Sequence, residues 1–239
     1  TIPASVTSIG EYAFYNDGCT TYSWEAGCKK LGQVVFSEDS QLEGIERYAF
    51  YANNLTSLVL PDTLKYIGYM AFRYNSNLTS IDFGESIEHI DHYAFDGNNA
   101  LTTVTFPNTL TRIYDYAFRS TGITSLVIPD SVTFIDSCSF GCSNDSQQYK
   151  QLESVVIGDS LTSIRYGTFA NHRNLQTVVI GPSVTSIGEG ALSTSSQYES
   201  VKNTSGIYSD ASLIILNNSQ NPGVEVKFYD IFPTSVGDI

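Results

Sequence analysis

Charge is scarce in this sequence. Only 15% of its 239 residues are Asp, Glu, Lys or Arg, against roughly 25% in ordinary soluble domains. With 41% hydrophobic residues, that scarcity excludes a disordered chain, which needs low hydrophobicity and many charges. Basic residues are scarcest: 12 Lys and Arg stand against 25 Asp and Glu, a net charge of −13. Such a polyanion repels phosphate backbones and anionic lipid, so neither nucleic acid nor a membrane surface is an expected partner. No apolar run approaches the ~18 residues of a membrane helix, which excludes helical membrane insertion. No basic segment with an apolar stretch behind it opens the chain. It begins at Thr1-Ile2-Pro3, inside a repeat, and reads as a mature or trimmed product.

What is abundant is self-similarity. Ile9-Gly10-Glu11-Tyr12-Ala13-Phe14 returns as Ile45 to Phe50, Ile67 to Phe72, Ile90 to Phe95, Ile113 to Phe118, Ile135 to Phe140, Ile164 to Phe169 and Ile187 to Leu192. The anchors 14, 50, 72, 95, 118, 140, 169 and 192 differ by 36, 22, 23, 23, 22, 29 and 23. The unit is therefore about 23 residues, a period that signals a stacked-repeat architecture. Two insertions interrupt it, near 15–30 and 141–151.

Each unit carries a second signature. Leu55-Thr56-Ser57-Leu58-Val59-Leu60-Pro61 aligns with Leu78 to Gly84, Leu101 to Pro107, Ile123 to Pro129, Leu152 to Gly158 and Leu175 to Gly181. Leu58 and Leu60 share one face of a strand and Ser57 and Val59 the other, and the Pro or Gly ends it. An apolar pair three apart follows, such as Leu64 and Ile67, predicting a second short strand. The Ala-Phe step then predicts a short helical or 3₁₀ turn that drives the ring inward. Three residues after Phe stand Asp17, Asn53, Asn75, Asn98, Thr121, Ser143, His172 and Ser195, read as a polar ladder satisfying turn backbone between coils. One unit cannot bury these apolar sides alone, whereas stacked units share a continuous core. The expected fold is a curved, β-rich solenoid over residues 1–199, with 200–239 as a C-terminal cap.

The unit Leu-x-x-Ile/Val-x-Ile-Pro-x-Ser-Val-Thr-x-Ile-Gly-x-x-Ala-Phe resembles the BspA-like, or Treponema-type, leucine-rich repeats. Ile123-Thr-Ser-Leu-Val-Ile-Pro129-Asp-Ser-Val-Thr-Phe-Ile135 is its clearest copy. The resemblance covers residues 1 to about 192. The sequence departs from the family in carrying Asn, Ser or Thr where the family commonly has Cys three residues after Phe. What the resemblance implies is a surface or secreted protein, adhesion to matrix or host cells among its roles.

Chemistry-bearing residues are few. Cys19 and Cys28 lie inside the first insertion, and Cys138 and Cys142 flank a turn. Two local disulfides are expected, worth roughly 2–3 kcal/mol for the first loop; four buried or free thiols are the alternative. His89 and His92, with Asp91 between them, are the nearest approach to a metal site. Both fall in variable surface columns, so no metal is expected. No Ser, Cys or Asp column converges on a histidine, which leaves a catalytic triad unsupported. No glycine-rich phosphate loop is present, so no cofactor is expected. Scattered acids read as solubilising charge. Asn54-Leu-Thr and Asn77-Leu-Thr fit the glycosylation pattern, as do three further tripeptides; a eukaryotic secreted protein would carry glycans at some of them, whereas in a bacterial one, the default reading, they are coincidence.

Binding residues are sought on exposed columns. The concave strand face presents Ser57, Val59, Ser80, Asp82, Thr103, Thr105, Ser125, Val127, Ser154 and Val156, nearly uncharged and β-branched, and is the first candidate. Strand propensity alone would produce the same composition. Tyr12, Tyr48, Tyr93 and Tyr116 form a turn column, and Trp24 marks the first insertion; these are the alternative. The expectation is a non-catalytic extracellular protein that binds another protein or glycan on a host cell or matrix, as in an adhesin fragment. A spacer in a longer surface protein, an ice-surface binder and a glycosidase are the competing readings.

Overall fold

The computed structural model describes residues 1–16, 30–142, 151–188, 190–192 and 214–217. Its backbone rises as a parallel solenoid, each coil pairing with the next in register. The second strand of each unit builds a six-stranded sheet in the order β1-β2-β4-β6-β7-β9. These are β1 (Ser8–Ile9), β2 (Gly44–Ile45), β4 (Tyr66–Ile67), β6 (His89–Ile90), β7 (Arg112–Ile113) and β9 (Phe134–Ile135). Strands β11 (Ser163–Ile164) and β13 (Ser186–Ile187) continue that column as a pair.

The first strand of each unit forms the other face. Strands β3 (Ser57–Val59) and β5 (Ser80–Asp82) pair in parallel. Strands β8 (Ser125–Ile128), β10 (Ser154–Ile157) and β12 (Thr177–Ile180) form a second ladder, to which β14 (Ile214–Asn217) adds in register with β12. The expected continuous face is therefore split. Residues 101–106 lie between the two ladders and form no strand, although Val104 still points inward and Thr103 and Thr105 outward. The break falls where Phe83 and Phe106 take the inner position held elsewhere by Leu60, Ile128 or Ile157. Their rings lie 5.7 Å apart and stand edge-on against Phe95 and Phe118.

The core is a single apolar column. Phe14, Phe50, Phe72, Phe95, Phe118, Phe140 and Phe169 stack with successive centroids 5.0 to 5.5 Å apart. From Phe50 onward these rings are essentially inaccessible, as are Leu64, Ile67, Ile87, Ile90, Leu110 and Ile113. Centroid spacings slightly above the ~4.8 Å between strands suit offset stacking.

The Ala-Phe segment is not helical. No helix occurs among the described residues; two consecutive β-turns take the place of the expected helical turn. In the first copy Ala13 N–H donates to Gly10 O at 3.3 Å and Tyr15 N–H to Tyr12 O at 3.1 Å. The third residue of the first turn has positive φ, 57° at Tyr12, 57° at Tyr48, 54° at Met70, 58° at Tyr93 and 57° at Tyr116, the type II signature. The reason lies in where the amides go. Phe50 N–H donates to Ala71 O at 2.8 Å, Phe72 N–H to Ala94 O at 2.9 Å and Phe95 N–H to Ala117 O at 2.8 Å. Bonds that a helix would make along the chain run to the next coil instead.

The polar ladder closes the same turns. Asn75 Nδ2 donates to Phe50 O at 3.0 Å and Phe72 O at 2.9 Å, while its Oδ1 accepts from Leu55 N–H at 3.3 Å. Asn98 repeats the donor pattern with Phe72 O and Phe95 O, Asn53 donates to Phe14 O and Tyr51 O, and Thr121 donates to Phe118 O. His172 serves with its ring: Leu152 N–H donates to Nδ1 at 3.3 Å, which leaves Nε2 to donate to Phe140 O at 3.0 Å.

Candidate functional site

The alternation of each first strand decides which side chains face out. Along β8 the exposed-buried pattern puts Ser125 and Val127 outward and Leu126 and Ile128 inward, and β3 does the same with Ser57 and Val59. Register stacks the outward residues: Val59 opposes Asp82, and Val127 opposes Val156. Val59 is 65% exposed, Val127 59%, Val35 44% and Val156 38%. A buried environment removes such side chains from water at about 25 cal/mol per Å²; here they stay in contact with it. The interruption at 101–106 and the polar pair Asp82 and Thr105 divide the face into two valine patches.

The tyrosine column is arranged differently. Tyr12 stacks on Tyr48 at 4.9 Å and 9°, and Tyr93 on Tyr116 at 4.6 Å and 13°. Tyr69 fills the gap edge-on between Tyr48 and Tyr93. Guanidinium groups lie against the rings: Arg73 is 5.0 Å and Arg119 5.3 Å from the Tyr93 centroid. Asp96, buried to 1% exposure, ties the seam by accepting from Arg73 Nε at 2.7 Å and from Arg119 Nε at 2.9 Å. The ring faces are thus engaged along the solenoid axis, and burial, with Tyr69 beside it, raises the Tyr48 phenol above its ordinary value. This seam does structural work between coils. Its Arg-Asp-Arg clamp was not legible in sequence, although the 23-residue steps from 73 to 96 to 119 carry the signal.

Sequence reasoning also missed a row of acids. The residue following the strand-ending Pro or Gly is Asp62, Glu85, Asp130 and Asp159 in four coils, with Glu38 after Ser37 in an earlier one. All five are exposed. The turns that carry them stack directly: Asp159 N–H donates to Asp130 Oδ1 at 2.9 Å, and a Cβ on Gly84 would lie 2.8 Å from Pro61 O. No ion pair reaches these five carboxylates among the described residues, and Arg47, Arg73, Arg119 and Arg165 pair with other acids.

The remaining candidates are placed as follows. Cys138 and Cys142 form a disulfide with Cα atoms 4.7 Å apart, both buried. Cys19, Cys28 and Trp24 lie outside the described residues. His89 stacks on Tyr66 at 5.5 Å, and His92 pairs with Asp115 beside Tyr114. No group of three His, Cys, Asp or Glu is arranged to hold a metal among the described residues. Tyr66 donates to Glu46, a bond that with burial pushes its phenol up to about 12. No described helix is long and apolar enough to cross a membrane.

A parallel solenoid of about 23-residue coils with one exposed strand face defines the class, a repeat protein. The chain belongs to the BspA type leucine rich repeat family, whose six-copy region matches residues 1–46, 38–147 and 143–214. Members of this family are typically surface-associated and protein-binding. The chain is similar to the T. pallidum leucine rich repeat protein at 26% identity, over 66% of this chain and 71% of that one, with a TM-score of 0.56. It is also similar to a leucine-rich repeat protein from Bacteroides ovatus at 22% identity, over 81% of this chain and 63% of that one, with a TM-score of 0.44. A leucine rich cell surface protein from Faecalibacterium prausnitzii matches at 19% identity, over 98% and 82% of the two chains, with a TM-score of 0.33. Among curated proteins no sequence matches the chain.

Proposed function

We propose that this chain is a non-catalytic, extracellular or cell-surface repeat protein that binds another protein through the outward face of β3, β5, β8 and β10. The observation that carries the reading is the exposure of Val59 and Val127, 65% and 59%, on a regular β-branched face. Apolar side chains held in register in water are a standing gain for any partner that covers them. The disulfide between Cys138 and Cys142 suits an oxidising compartment, where structural disulfides persist. Adhesion to host or matrix is the specific form proposed.

The test is binding of labelled protein to matrix-protein and glycan panels, beside a Val59→Arg, Val127→Arg double variant whose circular dichroism melt matches the parent. Saturable binding to proteins that the variant loses supports the sheet face. Binding that survives moves the site to another surface. Binding to glycans alone contradicts the protein partner, and no binding on either panel favours a spacer.

A further inference from the structure

The acids and the valines belong to one surface. In four coils the strand-ending turn places a carboxylate three residues after an outward valine or its equivalent: Val59 then Asp62, Asp82 then Glu85, Val127 then Asp130, Val156 then Asp159, with Asn108 in that place between Glu85 and Asp130. Because turns and strands stack in the same register, the carboxylates form a rim along one edge of the face, with Asp82 reaching its middle. Neighbouring coils are about 4.8 Å apart, so Asp130 and Asp159 stand side by side within a Debye length, with no ion pair to either among the described residues. Arg73 and Arg119 sit in the tyrosine seam, held by Asp96 and by ring faces, and Arg47 and Arg165 pair with Glu11 and Asp136. The sheet face thus carries acids beside its valines.

We infer that the sheet face recognises a protein segment that carries both apolar residues and Lys or Arg. The inference rests on the proposed reading of the face as a protein-binding site and names the chemistry of its partner. Two features decide it. Valine patches separated by the polar centre at Asp82 and Thr105 fit apolar side chains of the partner. The carboxylates beside the valines fit cations flanking those side chains, and complementary charge of this kind raises the association rate and rejects acidic partners. A uniformly acidic or neutral ligand would leave the rim repulsions in place.

The experiment pans a random peptide library displayed on phage against the full chain at low salt. A second target carries Glu85→Gln, Asp130→Asn and Asp159→Asn, and a third carries Val59→Ser and Val127→Ser. The parent is expected to enrich peptides that carry Lys or Arg together with apolar residues, and a synthetic peptide of that consensus should bind at least tenfold more weakly in high salt. The carboxamide variant should keep the apolar preference and lose the basic one, while the serine variant loses enrichment. Acidic or uncharged consensus peptides on the parent overturn the inference, as does an unchanged basic preference on the carboxamide variant. Enrichment untouched by the serine changes overturns the reading of the face itself, so the two failures are distinguishable.

Discussion

The side chain of Asn75 does the work of water for three backbone groups, those of Phe50, Phe72 and Leu55. Leucine has similar bulk and none of those bonds. Asn75→Leu should therefore lower stability by at least about 2 kcal/mol, since each unpaired buried group costs about 1–3; urea denaturation measures it. Asn98, whose Oδ1 has no partner among the described residues, should lose less on the same change. Tyr66 gives a pH prediction. Its folded-state phenol is pushed up from 10 to about 12 by the bond to Glu46, so the folded state holds that proton more tightly than the unfolded chain does. The stabilisation is fully present below pH 10 and is lost as pH rises toward 12. The Tyr66→Phe variant should show a smaller fall in urea midpoint across that window than the parent.

The repeated Ala-Phe turn is where local propensity and tertiary demand disagree. Ala-Phe with flanking Tyr and Arg is compatible with a helical turn, and the spacing Ile-x-x-x-x-Phe reads that way from sequence. The structure uses two β-turns because the neighbouring coil offers carbonyls at 2.8 to 2.9 Å to Phe50, Phe72 and Phe95 N–H, which isolated local sequence cannot reveal. Positive φ at non-glycine residues is the strain this entails. At Ala52, φ is 54°, and Ala52→Gly should raise stability by about 0.5–1 kcal/mol, because glycine reaches the left-handed region without a Cβ penalty. The phenylalanine stack gives the opposite sign. Phe95 is flanked by Phe72 and Phe118 at 5.3 Å each and by the edge of Phe83. Phe95→Ala should cost about 3–5 kcal/mol, toward the upper end because stacked rings held by coil register cannot collapse into the gap. Both changes are read in equilibrium denaturation.

For the whole molecule, charge matters more than any one contact. A net charge of −13 repels itself, and the stacked carboxylates at Asp62, Glu85, Asp130 and Asp159 concentrate that repulsion along one edge. Added sodium chloride screens it, so the melting temperature should rise between low and high salt. The Glu85→Gln, Asp130→Asn, Asp159→Asn variant should melt higher than the parent at low salt and gain less from added salt. Differential scanning calorimetry at two ionic strengths checks both.

The period, the inward Leu and Ile of each strand, the Phe plug and the Asn ladder were all readable from the chain. They repeat every ~23 residues, and a repeat that buries its apolar side must stack. The outward columns at Ser57 to Val156 were readable for the same reason, since strand alternation fixes the face. Three things waited for the tertiary structure. The first sheet splits at 101–106 although Leu101 to Pro107 repeats the strand signature of its neighbours. The clamp of Arg73 and Arg119 on Asp96 depends on side chains from three coils converging. The acidic rim looked like scattered solubilising charge until stacking put residues more than twenty positions apart side by side. Sequence determines what each coil buries, because burial follows local pattern; only the packed coils decide which exposed groups become neighbours.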